Sequence, residues 1–425
     1  MRKLLRRLKD LKKDLRGNVL IVTALGSASL VGAAGLGVDT VQWFLWKREL
    51  QQAADSGAMA GAYNLYTGNA WTADARAEVN RNFTETVTFE RVQNPPAAGA
   101  FTGDTGAIEV LISHTRTLPF SSLFLSGGAT VRTRAVATAV AAGQPCVIGL
   151  ATDGIGIDVF GNATVDLDCP VASNSPEGVS VDVGGTGFLD TNLIMSVGGI
   201  DYGSGNIPAD AAVVPYGLPT ADPLADRAMS IPAGGCNQNN FAVRPRQNIT
   251  INPGRYCGGL VIRGTVQMNP GVYIIDKGSF QVNSSAQVVG DGVTIILTGD
   301  SDSNVASISI NGSAELDLSA PTLAETQSIA EFNNNTDWAG VLFYQDRLGD
   351  GIQNTINGGA DINLDGIIYM PTGELTYNGS STQSAQCLLM ITERVNFGGT
   401  NDIANNCNDE IDNALTNAFV IRVVE

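Results

Sequence analysis

Residues 280–288 read Phe-Gln-Val-Asn-Ser-Ser-Ala-Gln-Val: alternating apolar positions, a small polar corner, then alternation again. The same grammar returns at 157–167 (IDVFGNATVDL), 308–318 (ISINGSAELDL) and 356–364 (INGGADINL). Period-two alternation places one face of a short strand inside and the other in water. Asn and Gly at the corners supply the positive φ that a tight change of direction needs. A second pattern, Asn-Pro-Gly-x-Tyr, occurs at 252–256 and again 17 residues later at 269–273, each time leading into an apolar strand. Short strands, glycine corners and a recurrence of ~17–28 residues predict stacked rungs. The expected fold of residues 143–425 is therefore all-β, with a β-helix or solenoid favoured over an antiparallel sandwich in which every corner is a hairpin.

Outward from this region the composition sets the limits. The chain has 425 residues, 49 of them Gly, and only 16% are charged. Against a usual charged fraction of about 25%, that excludes a charged coiled coil, and the 44% hydrophobic content excludes wholesale disorder. The net charge of −17 is unevenly spread. Residues 1–16 hold eight Lys/Arg and two Asp, residues 17–145 are nearly neutral, and residues 146–425 carry a net −22. So acidic a bulk repels phosphate backbones, and no nucleic-acid partner is expected.

Residues 18–38 (NVLIVTALGSASLVGAAGLGV) carry no charge. At about 1.5 Å per residue they can cross a hydrocarbon core of about 30 Å. The basic leader, residues 1–17, precedes them, so the positive-inside rule keeps the N-terminus cytoplasmic and exports the rest. A cleaved signal is disfavoured, because its apolar region is usually only ~7–15 residues and no convincing A-x-A site follows the run. The expected topology is a membrane crossed once, with the bulk outside the cytoplasm. All six cysteines, Cys146, Cys169, Cys236, Cys257, Cys387 and Cys407, lie in the exported part, which suggests disulfides. Neighbour pairing (146–169, 236–257, 387–407) is the simplest of about 15 connectivities. No C-x-x-C occurs, which argues against zinc.

Past the anchor, residues 41–66 keep a helical pattern without proline. Trp43 and Trp46 sit where an interfacial aromatic belt would lie. Ala53, Gly57 and Gly61 recur four apart, as do Ala54, Ala58 and Ala62. Such spacing admits a close neighbour, and packing on the chain's own sheet is favoured over a partner. A short helix is expected at 72–83 with Thr72 as its cap. Strands are expected at 86–92, 107–117 and 129–140. One long helix on a small sheet makes residues 39–142 a pilin-like α+β domain.

These residues resemble a known family. Arg16-Gly17-Asn18, the apolar run, Gly35 to Asp39, then Arg48-Glu49-Leu50-Gln51-Gln52-Ala53-Ala54-Asp55 and Gly57-Ala58-Met59-Ala60-Gly61-Ala62 are similar to the TadE/TadG-like proteins of bacterial tight-adherence (Flp) pilus assembly. Leu118-Pro119-Phe120 and the strand Val131 to Ala137 extend the likeness to about residue 142. The resemblance implies a non-enzymatic envelope protein of the bacterial inner membrane, its bulk periplasmic or extracellular, that works with pilins or other assembly components. It also marks Gly17 as a leader-processing position, although Val22 stands where the family usually has Glu. The D-x-S-x-S metal site of long TadG members is absent from this sequence.

Candidate chemistry is sparse. Asp166 and Asp168 share a strand face, and Asp346, Asp350, Asp361 and Asp365 are scattered without a Lys or His cluster, so no catalytic residue and no cofactor is expected. Residues 300–304 (DSDSN) open like an EF-hand loop, but Val305 replaces the Gly and Asn311 the final Glu, so no metal site is assigned. His114, the single histidine, sits in an alternating strand and is expected to be structural or solvated rather than a ligand. The alternative function is a membrane-tethered β-helix that binds or cleaves polysaccharide, which would need acids and aromatics gathered on one face.

Overall fold

The computed structural model describes residues 17–123, 127–167, 169–227, 229–358, 361–379, 387–403 and 417–425. The chain forms two compact units, residues 1–140 with 421–425, and residues 141–420.

The first unit begins with α1 (Gly17–Tyr66), a 50-residue helix, followed by α2 (Trp71–Asn82). Its sheet contains β1 (Thr88–Gln93), β2 (Ala107–Arg116) and β3 (Ala129–Gly143), with a fourth strand, Ala418–Val423, beside β3. β1, β2 and β3 pair antiparallel, with Val110 opposite Ala135 and Ile112 opposite Thr133. The core lies between α1 and the sheet. Trp46, Leu50, Ala54, Ala58 and Ala62, four apart and hence on one helix face, meet Ile108, Val110 and Ile112 from β2. α2 starts one residue before the expected Thr72 cap. Ala70 holds the N-cap position without a side-chain hydrogen bond, so the helix gains its place from buried Ala75 and Val79.

The last residues of the chain belong to this first unit, a return that local sequence pattern does not announce. Val136 N–H donates to the Glu425 carbonyl at 2.7 Å, and Val424 N–H donates to Val136 O at 2.8 Å. The expected exterior domain, 143–425, thus ends in a segment that completes the other unit's sheet.

The second unit is mostly β, built on a 23-stranded sheet whose described pairings all run parallel. Strands on either side of a corner find their partners a whole repeat away. Residues 157–159 pair with 181–183 and 395–397, whereas 164–167 pair with 188–190 and 400–403. Apolar residues stack in register one strand spacing, about 4.8 Å, apart. One buried column runs Val243, Ile262, Val282, Ile310, Ile356, Tyr377, Phe397, Val159, Val183.

Stacking order departs from chain order. Residues 212–214 and 238–239 lie ten pairings apart along one continuous ladder, a span of about 48 Å. The connecting segment 215–237 can reach about 76 Å when extended, so it spans the ladder with slack. It lies against the strands it passes. Leu224 is buried, Tyr369 Oη donates to Asp222 at 2.7 Å, and Arg227 Nη1 donates to the carbonyls of Asp337 and Ala339, both at 3.0 Å.

Two bridges match the neighbour pairing, Cys146–Cys169 and Cys236–Cys257, with Cα–Cα distances of 5.8 and 5.7 Å. Cys387 is also disulfide-bonded, while Cys407 lies outside the described residues. Bridges closing loops of this size stabilise by about 3 kcal/mol in the chain-entropy model.

Candidate functional site

The apolar half of α1 has little protein around it: Val22, Leu25, Leu30, Val31 and Leu36 are all exposed. By length and composition the helix can cross a membrane. The first contact from the rest of its unit comes at Gly35 and Asp39. A Cβ at Gly35 would come within 2.4 Å of the Phe120 ring, so only glycine lets that ring lie on the helix. Asp39 then accepts hydrogen bonds from Phe120 N at 3.2 Å and from Ser121 N and Oγ at 2.5 Å each. Residues 18–38 thus end where the chain's own contacts begin. The described part of α1 opens at Gly17, and the basic leader, residues 1–16, lies outside the described residues.

Gly57 and Gly61 both face the chain's own elements. A Cβ on Gly57 would sit 2.4 Å from Val79 Cγ2 and 2.9 Å from the Ala75 carbonyl oxygen on α2. One on Gly61 would sit 2.9 Å from Ile108 Cγ2 on β2. Gly57→Leu is therefore expected to destabilise the first unit by about 1–3 kcal/mol, since an inserted side chain forces a backbone shift. Thermal unfolding of the full chain checks this. An unchanged midpoint would show that the α1–α2 approach has room to spare.

The acids of the second unit are arranged in register. Asp402, Asp166 and Asp190 stack on successive strands, and beside Asp166 and Asp190 lies a cleft of about 330 Å3 that Asp210 also lines. Asp168, the expected companion of Asp166, lies outside the described residues. A second column, Asp158, Asp182 and Asp201, was missed by the sequence reading, although the triplets IDV (157–159), VDV (181–183) and IDY (200–202) carry its signal. Burial, then the charge of Asp182, holds the Asp158 carboxyl above the ordinary range; burial, then Asp201, does the same for Asp182.

Between the ordinary and the raised value the folded state binds more protons than the unfolded one, so stability falls as pH rises through that window. This column costs stability at neutral pH and is relieved on mild acidification. Asp182→Asn should raise the neutral-pH stability of the second unit by ~0.5 kcal/mol, a shift visible in urea titration. A lowered midpoint would show that these carboxylates are held by favourable contacts.

Other acids are held by cations or by their own loops. Arg394 gathers Asp153, Glu393 (2.6 Å) and Glu374 (3.4 Å) about one guanidinium. Asp346 accepts from Thr298 Oγ1 at 2.7 Å, Asp350 is exposed, and Asp361 and Asp365 pair in register with Glu315 and Ser319. In the 300–304 loop, Lys277 Nζ pairs with Asp300 at 2.5 Å, and Asn304 Oδ1 accepts from the backbone N–H groups of Asp300 and Ser301. An ammonium stands where a calcium ion would need Asp300, so this donor set does not fit the ion. Among the described residues no three His, Cys, Asp or Glu groups gather to hold a metal. His114 is fixed between Thr86 O (2.7 Å) and Glu85 (2.8 Å), edge-on to Trp46 and Phe83.

The features with shape and purpose therefore concentrate on α1: an exposed apolar half, then a small-residue face locked on its own domain. No curated protein and no solved structure matches the chain. Residues 17–64, which are almost all of α1, match the model of the family described as putative Flp pilus-assembly TadE/G-like, and the N-terminal helix of this chain is accordingly TadE/G-like.

Proposed function

We propose that the protein is a membrane-anchored, non-enzymatic structural or assembly component of a tight-adherence (Flp) type pilus. The family match over α1 carries this reading. In it, residues 18–38 cross the inner membrane once, residues 1–17 remain cytoplasmic, and the pilin-like unit stands at the outer surface of that membrane. The acidic β-rich unit is a parallel β-solenoid exposed to the periplasm or the exterior, where it meets pilins or other assembly components. The parallel, in-register pairing supports the solenoid, and the bonded cysteines support export.

The test is a pair of reporters fused after Glu425, one active only outside the cytoplasm and one only inside, together with recovery of the intact protein from its own membrane. The outside reporter should be active, and pilus components should co-purify. A cytoplasmic signal, or recovery without any pilus component, would overturn the assignment.

One observation favours a polysaccharide-binding surface as a second reading. Phe160 and Tyr202 are exposed aromatics two residues from Asp158 and one from Asp201, and Tyr216 is exposed on the turn after residues 212–214. Retention on immobilised cell-wall glycan, lost on Tyr202→Ala, would support it.

A further inference from the structure

Among the described residues, the ladders of the second unit end in strands that pair on one side only. At one end, residues 238–243 and 248–251 pair inward with 254–262 and 265–268. At the other, residues 200–202 pair inward with 181–183, and 212–214 with 193–195. An unpaired strand edge is a template for another strand, and solenoids ordinarily cover theirs with capping structure. The apolar columns are cut short at the same places. Val181 and Leu260 have no exposure, whereas Ile200 and Phe241, the next and last members of their column, are half-buried. Tyr202, which follows buried Val183, is 42% exposed.

The two ends carry opposite charge. Residues 228–275 hold four Arg and no acid, while residues 177–214 hold five acids and no Lys or Arg. Arg255 is taken by Asp276 at 2.6 Å, but Arg244, Arg246 and Arg263 are exposed and have no ion pair among the described residues. Arg244 and Arg246 occupy the corner between the two edge strands, and Arg263 the corner of the next rung. At the opposite end, exposed Asp201 lies on one edge strand and exposed Asp210 just before the other. Complementary charge at the two ends of one stack suits a heterologous contact between copies, which repeats without closing.

We propose that the second unit binds a second copy of itself head to tail, the 238–251 rung of one copy continuing the ladders that end at 200–202 and 212–214 in the other. The described pairings are parallel, so a copy displaced along the stack presents 238–243 in the orientation the ladder already has. Continuing the register places Phe241 on Ile200, Ala242 beside Asp201 and Val243 on Tyr202. The column Asp158, Asp182, Asp201 then ends on a neutral residue, with Arg244 two positions beyond. The proposal rests on the reading of this unit as a parallel solenoid with open ends.

Sedimentation of the full chain in detergent micelles should show oligomers that lengthen with concentration and shrink with added salt. Arg244→Gln combined with Arg246→Asn should weaken self-association about tenfold, equivalent to about 1.4 kcal/mol. Asparagine is chosen at 246 because it tolerates the left-handed backbone there (φ 66°). Association unchanged by this pair would arise elsewhere in the chain and overturns the proposal. Chains with Ala242→Cys mixed with chains carrying Asp201→Cys should be joined into dimers by a short bismaleimide, and neither variant alone should be. No dimer in the mixture, or a dimer of one variant alone, overturns the head-to-tail contact. Hydrogen exchange of the dilute chain tests the underlying reading. Protection should be lower at 200–202 and 241–243 than at 181–183 and 260–262. Equal protection would mean closed ends and overturns the open solenoid and the proposal together; low protection without association overturns the proposal alone.

Discussion

Phe280→Ala should destabilise the second unit by about 3–5 kcal/mol, the usual cost of truncating a fully buried phenylalanine. Phe280 has no exposure, pairs in register with Leu260 below and Ile308 above, and its ring lies 6.1 Å from that of Phe343. In a stack where each strand touches mainly its neighbours, the loss should be local first. Hydrogen exchange of the full chain should show protection falling most at 260–262 and 307–310, and least at the distant 181–183. The control is exposed Gln267→Ala on the strand 265–268 of the same unit, expected within about 0.5 kcal/mol of the wild type. If protection fell equally throughout, the stack would unfold as one cooperative block. If it did not fall at all, the inward placement of Phe280 would be wrong.

Phe280 was legible because it opens the nine-residue stretch from which the fold was read. Each of the four quoted copies spans two strands and the corner between them: 157–159 with 164–167, 279–282 with 287–290, 307–310 with 315–319, and 352–357 with the start of 361–379. The Asn-Pro-Gly-x-Tyr repeats also acquire a reason. Tyr256 Oη and Tyr273 Oη each donate to the carbonyl four residues back, Asn252 and Asn269, at 2.7 Å, so one motif builds the same corner twice. Their side chains link too, Asn269 Nδ2 donating to Asn252 Oδ1 at 2.7 Å. Local chemistry of this kind repeats in sequence because it repeats in space.

What the sequence hid is non-local. Nothing in residues 388–403 says that they stack beside 147–167, more than 200 positions earlier in the chain, or that 215–237 runs the length of a ladder to make this possible. The Asp158 column escaped for the same reason, since three aspartates 19 to 24 positions apart become neighbours only once the register is known. The loop at 300–304 misleads in the opposite sense. Its spacing of oxygens resembles a cation site, but Lys277, distant in sequence, supplies the positive charge.

Glu109 is expected to make the first unit sensitive to acid. Its side chain is fully buried on β2, where Arg134 Nε donates at 2.5 Å, Gln93 Nε2 at 3.0 Å and the Ala97 N–H at 3.1 Å, with Arg91 at 3.8 Å. Burial alone would push this carboxyl up. The bond from Arg134, the Ala97 N–H and the charges of Arg134 and Arg91 outweigh it and hold the group below its ordinary 4.5. Glu425 is held down as well, first by Arg134 and then by the Ala100 N–H. A carboxylate depressed on folding contributes stability that is complete above its unfolded value and is lost as pH falls through the folded one. The first unit should therefore weaken progressively below about pH 4.5, whereas the relief of the Asp158 column in the second unit comes as pH falls toward the ordinary aspartate value of 3.8. Glu109→Ala removes the buried partner of Arg134 and should cost about 3 kcal/mol at neutral pH, the low end for a broken buried pair because Glu425 still meets Arg134 at 2.5 Å. Thermal midpoints of the full chain between pH 7 and pH 3 separate the two effects. The variant should start lower and lose less on acidification; a variant that keeps the wild-type acid slope would show that Glu109 is not the group being titrated.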